Sequence, residues 1–461
     1  MTGPSPARVL WQDDLGPRPD EGWSGSVGLR DADIVIVGAG FTGLWTAYHL
    51  LVEQPGLGVI VLEAGRIGAG ASGRNGGWCT PELPLSLDTV DERHGPGSAH
   101  RWRTALVDAV AAVRATLETE QIDARWADGG WLQWCRNAAQ RERVEQTVAM
   151  YRRHGFGPEA LTWMEPEEAA SIARATSVVG ASFSSQTAAL HPARLVHGLA
   201  AAVRRRGGLI VEHCTVRELQ PHGVLTDFGP IAARWVVRAT EGYSARLAAS
   251  RRSVIPVYSM MIATEPLDNA IWEHIGLSDR TVFNDARHTV IYGQRTADDR
   301  LAFGGRGAPY HYGSRIAARF DTHAPTRQHL IDALVDLFPA LSGVTVTHHW
   351  GGPLGVARDW HPSIGLDTGR GWAWAGGYVG EGVTASALAG RTLADLLTDR
   401  ASVRTDLPWV GHRSRRWEPE PLRWLGINAM VQIARYADRC DEKASPLPRP
   451  IGAVFDRLTG H

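Results

Sequence analysis

Residues 33–63 read DIVIVGAGFTGLWTAYHLLVEQPGLGVIVLE, and this stretch decides the fold. It begins with Ile34 to Val37, a run of β-branched residues typical of a parallel strand that is buried on both faces. Gly38, Gly40 and Gly43 follow in the spacing G-x-G-x-x-G. The first glycine permits a sharp turn, the second lets backbone approach a pyrophosphate, and the third lets a helix pack closely on the strand.

The rest of the stretch completes a βαβ unit. Residues 44–52 predict a helix whose N-terminus, with free N–H groups and a partial positive charge, is an anion site. Residues 59–62 predict the second strand, and Glu63 follows it, where a carboxylate accepts hydrogen bonds from an adenosine ribose. An acid there disfavours NADP, although Arg66 lies close by. The stretch therefore predicts a dinucleotide site.

A second glycine-rich loop follows directly. Residues 63–78 read EAGRIGAGASGRNGGW and carry Ser72, Arg74 and Asn75. Such a loop can lay backbone N–H groups and a guanidinium along a long ligand that runs past the pyrophosphate. NAD-binding folds seldom need this loop and FAD-binding folds do, so the loop favours FAD.

Four segments resemble those that contact FAD in the D-amino-acid-oxidase-type flavoenzymes, a family that includes sarcosine, glycine and D-amino-acid oxidases. They are VGAGFTGLWTAYHL at 37–50, LEAGRIGAGASGRNGGW at 62–78, ARWVVRATEGY at 233–243 and GGYVGEGVTASALAGRTLADLL at 376–397. LWQDDLGPRP at 10–19, the GASGRNGG form of the second segment and IPVYSMMIATEPL at 255–267 are most similar to the γ-glutamylputrescine-oxidase-like branch.

The resemblance implies FAD as the cofactor and a set of residues that hold it. In the relatives, the backbone at the position of Val216 meets the adenine, and a helix N-terminus near Gly380 faces the flavin pyrimidine, where negative charge collects on reduction. The full set of expected cofactor residues is Gly38, Gly40, Phe41, Thr42, Gly43, Glu63, Ala64, Arg66, Ala71, Ser72, Arg74, Asn75, Gly76, Gly77, Val216, Thr240, Glu241, Gly242, Gly377, Tyr378, Gly380, Glu381, Gly382, Val383 and Thr384.

The resemblance also implies an α/β chain, α+β overall, with a Rossmann-like FAD-binding domain of the glutathione-reductase type and a discontinuous, mainly antiparallel substrate domain. The FAD-binding domain is expected at 31–82, 178–250 and 350–400, and the substrate domain at 83–177 and 251–349. Residues 1–30 are expected to form an N-terminal arm anchored by Trp11 and Trp23, and residues 401–461 a C-terminal extension.

Composition limits the remaining function classes. A chain of 461 residues with 44% hydrophobic residues can bury a large core in two domains. Its net charge of −1 gives no basic patch for nucleic acid. No apolar run approaches the roughly 20 residues that span a bilayer, and the N-terminus lacks the apolar core of a signal peptide, so no membrane partner and a cytoplasmic location are expected.

The four cysteines carry a further expectation. Cys79, Cys135, Cys214 and Cys440 are scattered without metal-ligand spacing, so no metal site is expected. Cys79 is expected near the flavin ring, where a thioether to FAD and a free buried thiol are both open, with the thiol favoured. Oligomeric state and covalent attachment of FAD stay open.

The implied chemistry is removal of a hydride from a carbon attached to nitrogen, with O₂ or another acceptor for the electrons. Several oxidases of the family hold a lysine near the flavin to help O₂ accept the first electron. Lys443 is the only lysine in this sequence. An arginine, a protonated histidine or the substrate must therefore supply positive charge, and a dehydrogenase stays open.

Substrate class rests on one departure from the family pattern. Relatives that act on free α-amino acids place an arginine in a W-x-G-x-R-P segment to clamp the carboxylate. Here the segment begins at Trp350, and Leu354 takes the arginine position. This favours a small-molecule amine, γ-glutamylputrescine-like or another primary or secondary amine. The alternatives are an α-amino acid or N-methylamino acid held by a relocated arginine, and a flavin-bound partner subunit without turnover of its own.

The candidate catalytic residues lie beyond the cofactor segments. We expect a role for Tyr258, Arg306 and His361, with His361 or His311 as the acceptor of the amine proton. The further pocket candidates are Arg358, Tyr310, His311 and Tyr312.

Overall fold

The computed structural model describes residues 7–16 and 30–445. The helices are α1 (Leu10–Asp13), α2 (Phe41–Glu53), α3 (Leu87–His94), α4 (Ser98–Thr119), α5 (Ala138–Arg153), α6 (Pro166–Ile172), α7 (Pro192–Arg205), α8 (Asn269–Ile275), α9 (Ala324–Leu337), α10 (Gly382–Leu397) and α11 (Leu422–Glu442). The strands are β1 (Asp31–Val37), β2 (Val59–Leu62), β3 (Trp78–Cys79), β4 (Trp131–Cys135), β5 (Thr162–Met164), β6 (Gly180–Ser184), β7 (Ala188–Ala189), β8 (Leu209–Val211), β9 (Val216–Gln220), β10 (Gly223–Thr226), β11 (Gly229–Arg238), β12 (Val254–Thr264), β13 (Val282–Asp285), β14 (Ile291–Arg295), β15 (Leu301–Gly305), β16 (Val346–Ala357), β17 (Ser363–Asp367) and β18 (Trp372–Gly376).

The first sheet contains the predicted βαβ unit. Its eight strands include the path β17-β18-β11-β1-β2-β8, with β10 paired to β11 and β9 paired to β10. β1 pairs in parallel with β2 and β11, as expected of a Rossmann-like core. Val35 and Ile36 are fully buried because both faces of β1 are covered. Ile36 packs in the cluster with α2, α7 and α10, and Val35 packs in a cluster with β9 to β11.

The second sheet is mainly antiparallel, as expected for the substrate domain. Its order is β16-β12-β15-β14-β13-β4-β6-β5, and the pair β4 and β13 is parallel. Two separate stretches of the chain therefore build one sheet, because β4 to β6 and β12 to β16 are far apart in sequence. The α/β fold with a discontinuous, mainly antiparallel second sheet is confirmed.

The sheets do not end at the predicted segment bounds. β6 pairs with β4 and so belongs to the second sheet, although residues 178–250 were expected in the first domain. β16 pairs with β12 over its whole length, so residues 350–357 also belong to the second sheet. Strand pairing of this kind depends on partners distant in sequence, which local residue patterns do not report.

Two glycines let chain segments meet closely around the first sheet. A Cβ atom on Gly43 would lie 2.0 Å from the carbonyl oxygen of Gly38, so α2 packs on the first turn only with glycine at this position. A Cβ on Gly390 would lie 2.5 Å from Cβ of Trp45, which brings α10 against α2. The N-termini of both helices consequently point toward the same edge of the sheet.

Residues 7–16 contact the body of the protein through Trp11. Trp11 is buried, and its indole N–H donates to the carbonyl oxygen of Asn75 at 2.8 Å, so it fixes this segment to the second glycine loop. Trp23 lies outside the described residues. Of the helices described, none is both long and apolar enough to cross a membrane.

Candidate active site

A cavity of about 580 Å³ lies at the carboxyl ends of β1 and β2, where ligands bind in open α/β sheets. Val37 and Leu62, the last residues of the two strands, line it. The remaining walls come from the glycine turn, the second glycine loop, the segments around Val216 and Thr240, and the start of α10. The four segments that resemble FAD-contacting segments therefore meet at one cavity.

The glycine turn forms the floor of this cavity. Gly38 has φ +107°, and a Cβ there would lie 2.6 Å from the carbonyl oxygen of Ala239. A Cβ on Gly40 would lie 2.9 Å from Oγ of Ser72, and this hydroxyl accepts a hydrogen bond from the backbone N–H of Phe41 at 2.8 Å. The turn thus leaves backbone exposed to a ligand at the N-terminus of α2.

Glu63 stands at the end of β2 with both carboxylate oxygens oriented. Oε2 accepts the backbone N–H of Ala39 and Oε1 that of Gly65, each at 2.9 Å. Burial raises the pKa of Glu63, and these two N–H donors oppose the rise. The carboxylate is fixed in place and keeps lone pairs for the hydroxyls of a ribose.

Glu241 joins two of the four segments. Its carboxylate accepts the backbone N–H of Gly377 at 2.8 Å and of Tyr378 at 3.2 Å. Burial raises the pKa of Glu241 to about 7, and these hydrogen bonds together with Arg238 oppose the rise. Glu241 therefore holds the turn before α10 against the end of β11.

The start of α10 forms the opposite wall. Gly380, Gly382 and Val383 line the cavity, and Gly380 has φ +119°. The hydroxyl of Tyr378 lies 3.1 Å from Oγ1 of Thr42, which connects this turn to α2. Two helix N-termini thus face one cavity, and each favours negative charge.

Most of the predicted cofactor residues line this cavity. They are Gly38, Gly40, Phe41, Thr42, Glu63, Ala64, Ala71, Ser72, Asn75, Val216, Thr240, Glu241, Tyr378, Gly380, Gly382 and Val383. The others do not line it: Gly43, Arg66, Arg74, Gly76, Gly77, Gly242, Gly377, Glu381 and Thr384. Several lining residues were not predicted, among them Tyr243, Arg246 and Arg217. Their closeness in sequence to Thr240 and Val216 was the signal that could have indicated them.

Arg74 makes contacts between the two sheets instead. Its Nη1 lies 2.6 Å from Oδ2 of Asp321 and donates to the carbonyl oxygen of Gly351 at 3.0 Å. A Cβ on Gly77 would lie 2.2 Å from the carbonyl oxygen of Leu190, so this glycine serves chain packing. The second glycine loop therefore binds the rest of the protein as well as facing the cavity.

Cys79 is a buried free thiol. Its Sγ lies 3.3 Å from Oγ1 of Thr384 on α10, and burial raises the pKa of Cys79 to about 12. A thiol with this pKa is a poor nucleophile at neutral pH. The favoured expectation of a free buried thiol is consistent with this environment.

A second cavity of about 1150 Å³ adjoins the first. Leu354, the residue at the expected arginine position, lines both cavities. Tyr258 and Arg306, two of the three candidate catalytic residues, line the second cavity. Burial raises the pKa of Tyr258, so its phenol stays protonated.

Arg306 lies at the junction of the two cavities. Its Nη2 donates to the carbonyl oxygen of Val379 at 2.7 Å, and a Cβ on Gly380 would lie 3.5 Å from the same nitrogen. The guanidinium also stacks over the ring of Trp360 at 5.4 Å. Burial raises the pKa of the neighbouring Glu381 to about 7, and Arg306 opposes that rise.

The other arginines that line the second cavity already have carboxylate partners within the described chain. The pairs are Arg103 with Glu82, Arg143 with Asp441, Arg153 with Asp88, Arg287 with Asp285, Arg358 with Glu418 and Arg423 with Glu420. Arg306 is the lining arginine for which the described residues show no such ion pair.

His361 lies outside the residues that line either cavity. Its Nδ1 donates to the carbonyl oxygen of Pro362 at 2.7 Å, and its Nε2 lies 2.8 Å from Nε2 of His94. Burial lowers the pKa of His361 to about 3. Ring nitrogens of His94, His361 and His412 lie within 4.8 Å of one another, an arrangement that the sequence did not indicate. Because both nitrogens of His361 are engaged, this environment does not favour the expected role of accepting the amine proton.

The further pocket candidates have mostly structural contacts. Arg358 donates from Nε to both carboxylate oxygens of Glu418 at 3.0 Å. Tyr310 is buried and hydrogen-bonds Glu420, and Tyr312 is exposed. The ring of His311 stacks on a phenylalanine and is also near Tyr258.

The family model described as FAD dependent oxidoreductase, DAO, matches residues 33–396. A γ-glutamylputrescine oxidoreductase of Escherichia coli (strain K12) is 30% identical over 372 residues, which cover 79% of this chain and 83% of the relative. A sarcosine oxidase subunit beta of Rhizobium meliloti (strain 1021) is 26% identical, with 75% and 80% covered.

Among solved structures, the glycine oxidase of Geobacillus kaustophilus has a TM-score of 0.70 and 20% identity, with 83% of this chain and 99% of that chain covered. An L-proline dehydrogenase from P. horikoshii has a TM-score of 0.65 and 20% identity, with 82% and 96% covered. These likenesses support the fold, and the family match supports the class of enzyme. This chain belongs to the DAO family of FAD-dependent oxidoreductases.

Proposed function

We propose that this chain binds FAD in the 580 Å³ cavity and oxidises the C–N bond of a primary or secondary amine in the adjoining cavity. The product is an imine, which water hydrolyses to an aldehyde and ammonia or a smaller amine, and O₂ is the electron acceptor. The observation that carries this proposal is Leu354, which lines both cavities at the position where an arginine would clamp an α-carboxylate.

The residues present fit FAD. The glycine turn and Glu63 suit the pyrophosphate and the adenosine ribose, and the start of α10 suits the anionic end of a flavin. Bound FAD would supply the hydride acceptor, and the chain supplies orientation and exclusion of water. Ala64, Ser72 and Asn75, together with the other lining residues given above, would hold the cofactor.

The walls at the junction define what the chain does with the amine. Leu354, Val379 and Trp360 line the second cavity, and Tyr258 adds a protonated phenol that can orient an amine nitrogen. Apolar walls favour the neutral form of the amine, which is the form that can lose a hydride. Tyr258 and Arg306 are the candidate catalytic residues that this geometry supports best.

Arg306 supplies positive charge beside the expected flavin position. Lys443 follows α11 and is exposed, so it does not take the role that a lysine takes in several oxidases of the family. Burial lowers the pKa of Arg306 from its ordinary value above 12, yet an arginine remains a cation at neutral pH. A fixed cation at this junction favours transfer of the first electron to O₂.

A second candidate function rests on the same residue. The described residues show no direct ion pair for Arg306, although Glu381 is a neighbour, so the guanidinium is available to hold the carboxylate of an α-amino acid or N-methylamino acid. The oxidation would be the same, and only the anchoring of the substrate would differ.

The experiment is anaerobic addition of amines and amino acids to the purified yellow protein, followed by admission of air. Amine oxidation predicts loss of flavin absorbance with at least one amine and its return in air. If no compound in a wide panel bleaches the flavin, the proposal is wrong.

Two matched variants separate the candidates. Arg306→Leu removes the unpaired guanidinium, whereas Arg358→Leu removes one that is already paired with Glu418. Amine oxidation predicts that only Arg306→Leu slows reoxidation by O₂ and that the KM for amines without a carboxylate stays unchanged. A large rise in KM confined to carboxylate-bearing substrates would favour the second candidate.

A further inference from the structure

We propose that the α11 wall, defined as the cavity-lining residues Trp417 to Ala434, selects amines that carry an extended apolar chain or ring system. This inference rests on the proposed function and deepens it by naming the substrate class. The amine nitrogen lies at the junction near Leu354, and the apolar part lies under α11.

The size of the second cavity excludes a small substrate as its full occupant. Its volume of about 1150 Å³ reaches beyond the roughly 300–1,000 Å³ of pockets that hold drug-sized ligands. An amine with only a few carbons would leave most of this space to water. The apolar share of the walls makes such water unfavourable relative to an apolar ligand.

The inner face of α11 forms one wall of this space. Ile427, Met430, Val431 and Ala434 line the cavity, and their spacing of three, four and seven residues places them on one helical face. All four are half-buried. The face therefore turns toward the cavity and is only partly covered by the residues that the structure describes.

α11 is attached to the body by polar contacts and, at Ile427, by packing against the apolar cluster that includes Ile255 and Trp417. Of its 21 residues, Arg423, Ala437 and Cys440 are buried. The carboxylate of Asp438 accepts the backbone N–H groups of His288 and Thr289 at 2.7 and 3.0 Å. These contacts hold the helix in position, and its apolar side chains remain available to a ligand.

The walls of the second cavity that lie opposite α11 are also partly apolar. Leu85, Val144 and Met150 come from the segment before α3 and from α5, and Ile255 and Val257 come from β12. The lining arginines other than Arg306 are paired with carboxylates, as described above. A neutral apolar chain thus fits between these walls without leaving a charge unpaired.

α11 also lies outside the part of the chain that the family model matches. The match ends at residue 396, and α11 begins at Leu422. The reaction center and the glycine turns belong to the matched part, whereas this wall does not. Substrate choice in this chain therefore depends on a segment that the shared family core does not include.

The test is the dependence of KM on chain length across straight-chain primary alkylamines. Each added methylene that is buried against the wall should lower KM about fourfold until the chain fills the cavity. Met430→Asp places a charge in the wall and should abolish this dependence of KM on chain length. Leu425→Asp is the matched control, because Leu425 lies on the same helix with an exposed side chain.

A second variant keeps the test possible if Met430→Asp does not fold. Ala434→Trp fills the cavity without adding charge and should shorten the longest chain that is accepted. The inference would be overturned if KM in the wild type did not depend on chain length. It would also be overturned if Met430→Asp and Ala434→Trp both retained the wild-type dependence.

Calorimetric binding of the same amines to the oxidised protein separates this inference from the proposed function. If binding tightens with chain length and flavin is never reduced, the proposed function fails and the wall remains. If flavin is reduced and neither binding nor KM depends on chain length, the wall fails and the proposed function remains.

Discussion

The ion pair between Arg74 and Asp321 is expected to hold the second glycine loop to the segment between β15 and α9. The two side chains are 17% and 14% exposed, and Nη1 lies 2.6 Å from Oδ2. At an effective dielectric constant of about 20 the attraction is roughly 6 kcal/mol, and desolvation of both ions offsets much of it. Removing one partner of such a pair costs about 3 kcal/mol or more, because the other charge stays buried and unpaired.

We therefore predict that Arg74→Leu lowers the free energy of unfolding of the apoprotein by about 3 kcal/mol at about pH 8. The change in the double variant with Asp321→Asn should be smaller than the sum of the two single changes by about 2 kcal/mol. Burial already raises the pKa of Asp321. The unpaired carboxyl should then take up a proton, and the loss in Arg74→Leu should be smaller at about pH 5.

The assay is urea unfolding followed by tryptophan fluorescence, with FAD affinity measured in parallel. Because Arg74 does not line the FAD cavity, FAD affinity should change by less than about threefold, which is under 1 kcal/mol. A loss of FAD affinity of about 100-fold or more with unchanged stability would show that Arg74 is a cofactor ligand and refute this reasoning. Strict additivity of the two substitutions would refute the coupling.

Three further predictions concern the cofactor site. Gly43→Ala puts a Cβ 2.0 Å from a backbone oxygen and should yield protein without FAD, whereas Gly369→Ala, with no neighbour closer than 3.6 Å, should retain FAD as measured by absorbance. Because burial raises the pKa of Glu241 to about 7, its contribution to stability should be full below the pKa of the unfolded chain and fall as pH rises through 7. Urea unfolding of apoprotein should show this fall in the wild type and not in Glu241→Gln; equal pH slopes would contradict it. Since Cys79 is a buried thiol beside Thr384, acid denaturation should release all FAD into the supernatant, and retained flavin would contradict this.

The first sheet was predictable because its signals are local. The hydrophobic run at 34–37, the three glycines and Glu63 each act on neighbours within about one βαβ unit, so their spacing alone indicates the geometry. Pro192 at the first turn of α7 is a signal of the same kind, and α7 begins at this residue. The cavity that these elements form matches most of the cofactor residues expected from the resemblance.

The candidate site was less predictable because its contacts join distant segments. Arg74 meets Asp321 across 247 residues, and nothing near Arg74 in sequence indicates that partner. His361 follows Trp360, which lines the second cavity, yet His361 itself turns toward His94. A pattern of residue types identifies which side chains can do chemistry, and only tertiary packing decides which way they face.

The role of the C-terminal extension was also not predictable from its sequence. Residues 401–461 were expected to form an extension, and the structure places the helix α11 in it at Leu422–Glu442. The apolar face of α11 lines a cavity, which the sequence of the extension did not indicate. Whether an apolar face meets protein or a ligand depends on the shape of the opposite wall, which the helix sequence does not contain.

The central claim is that an amine in the second cavity transfers a hydride to flavin held in the first. Its most direct test is the anaerobic rate of flavin bleaching with an amine that carries deuterium on the carbon next to nitrogen, compared with the unlabelled amine. Both amines should bleach the flavin, and the deuterated amine should do so more slowly, because its C–D bond breaks in the step. The rates are compared at saturating amine, where the chemical step limits the rate of bleaching. Equal rates with the two amines, or no bleaching at all, would contradict hydride transfer to the flavin.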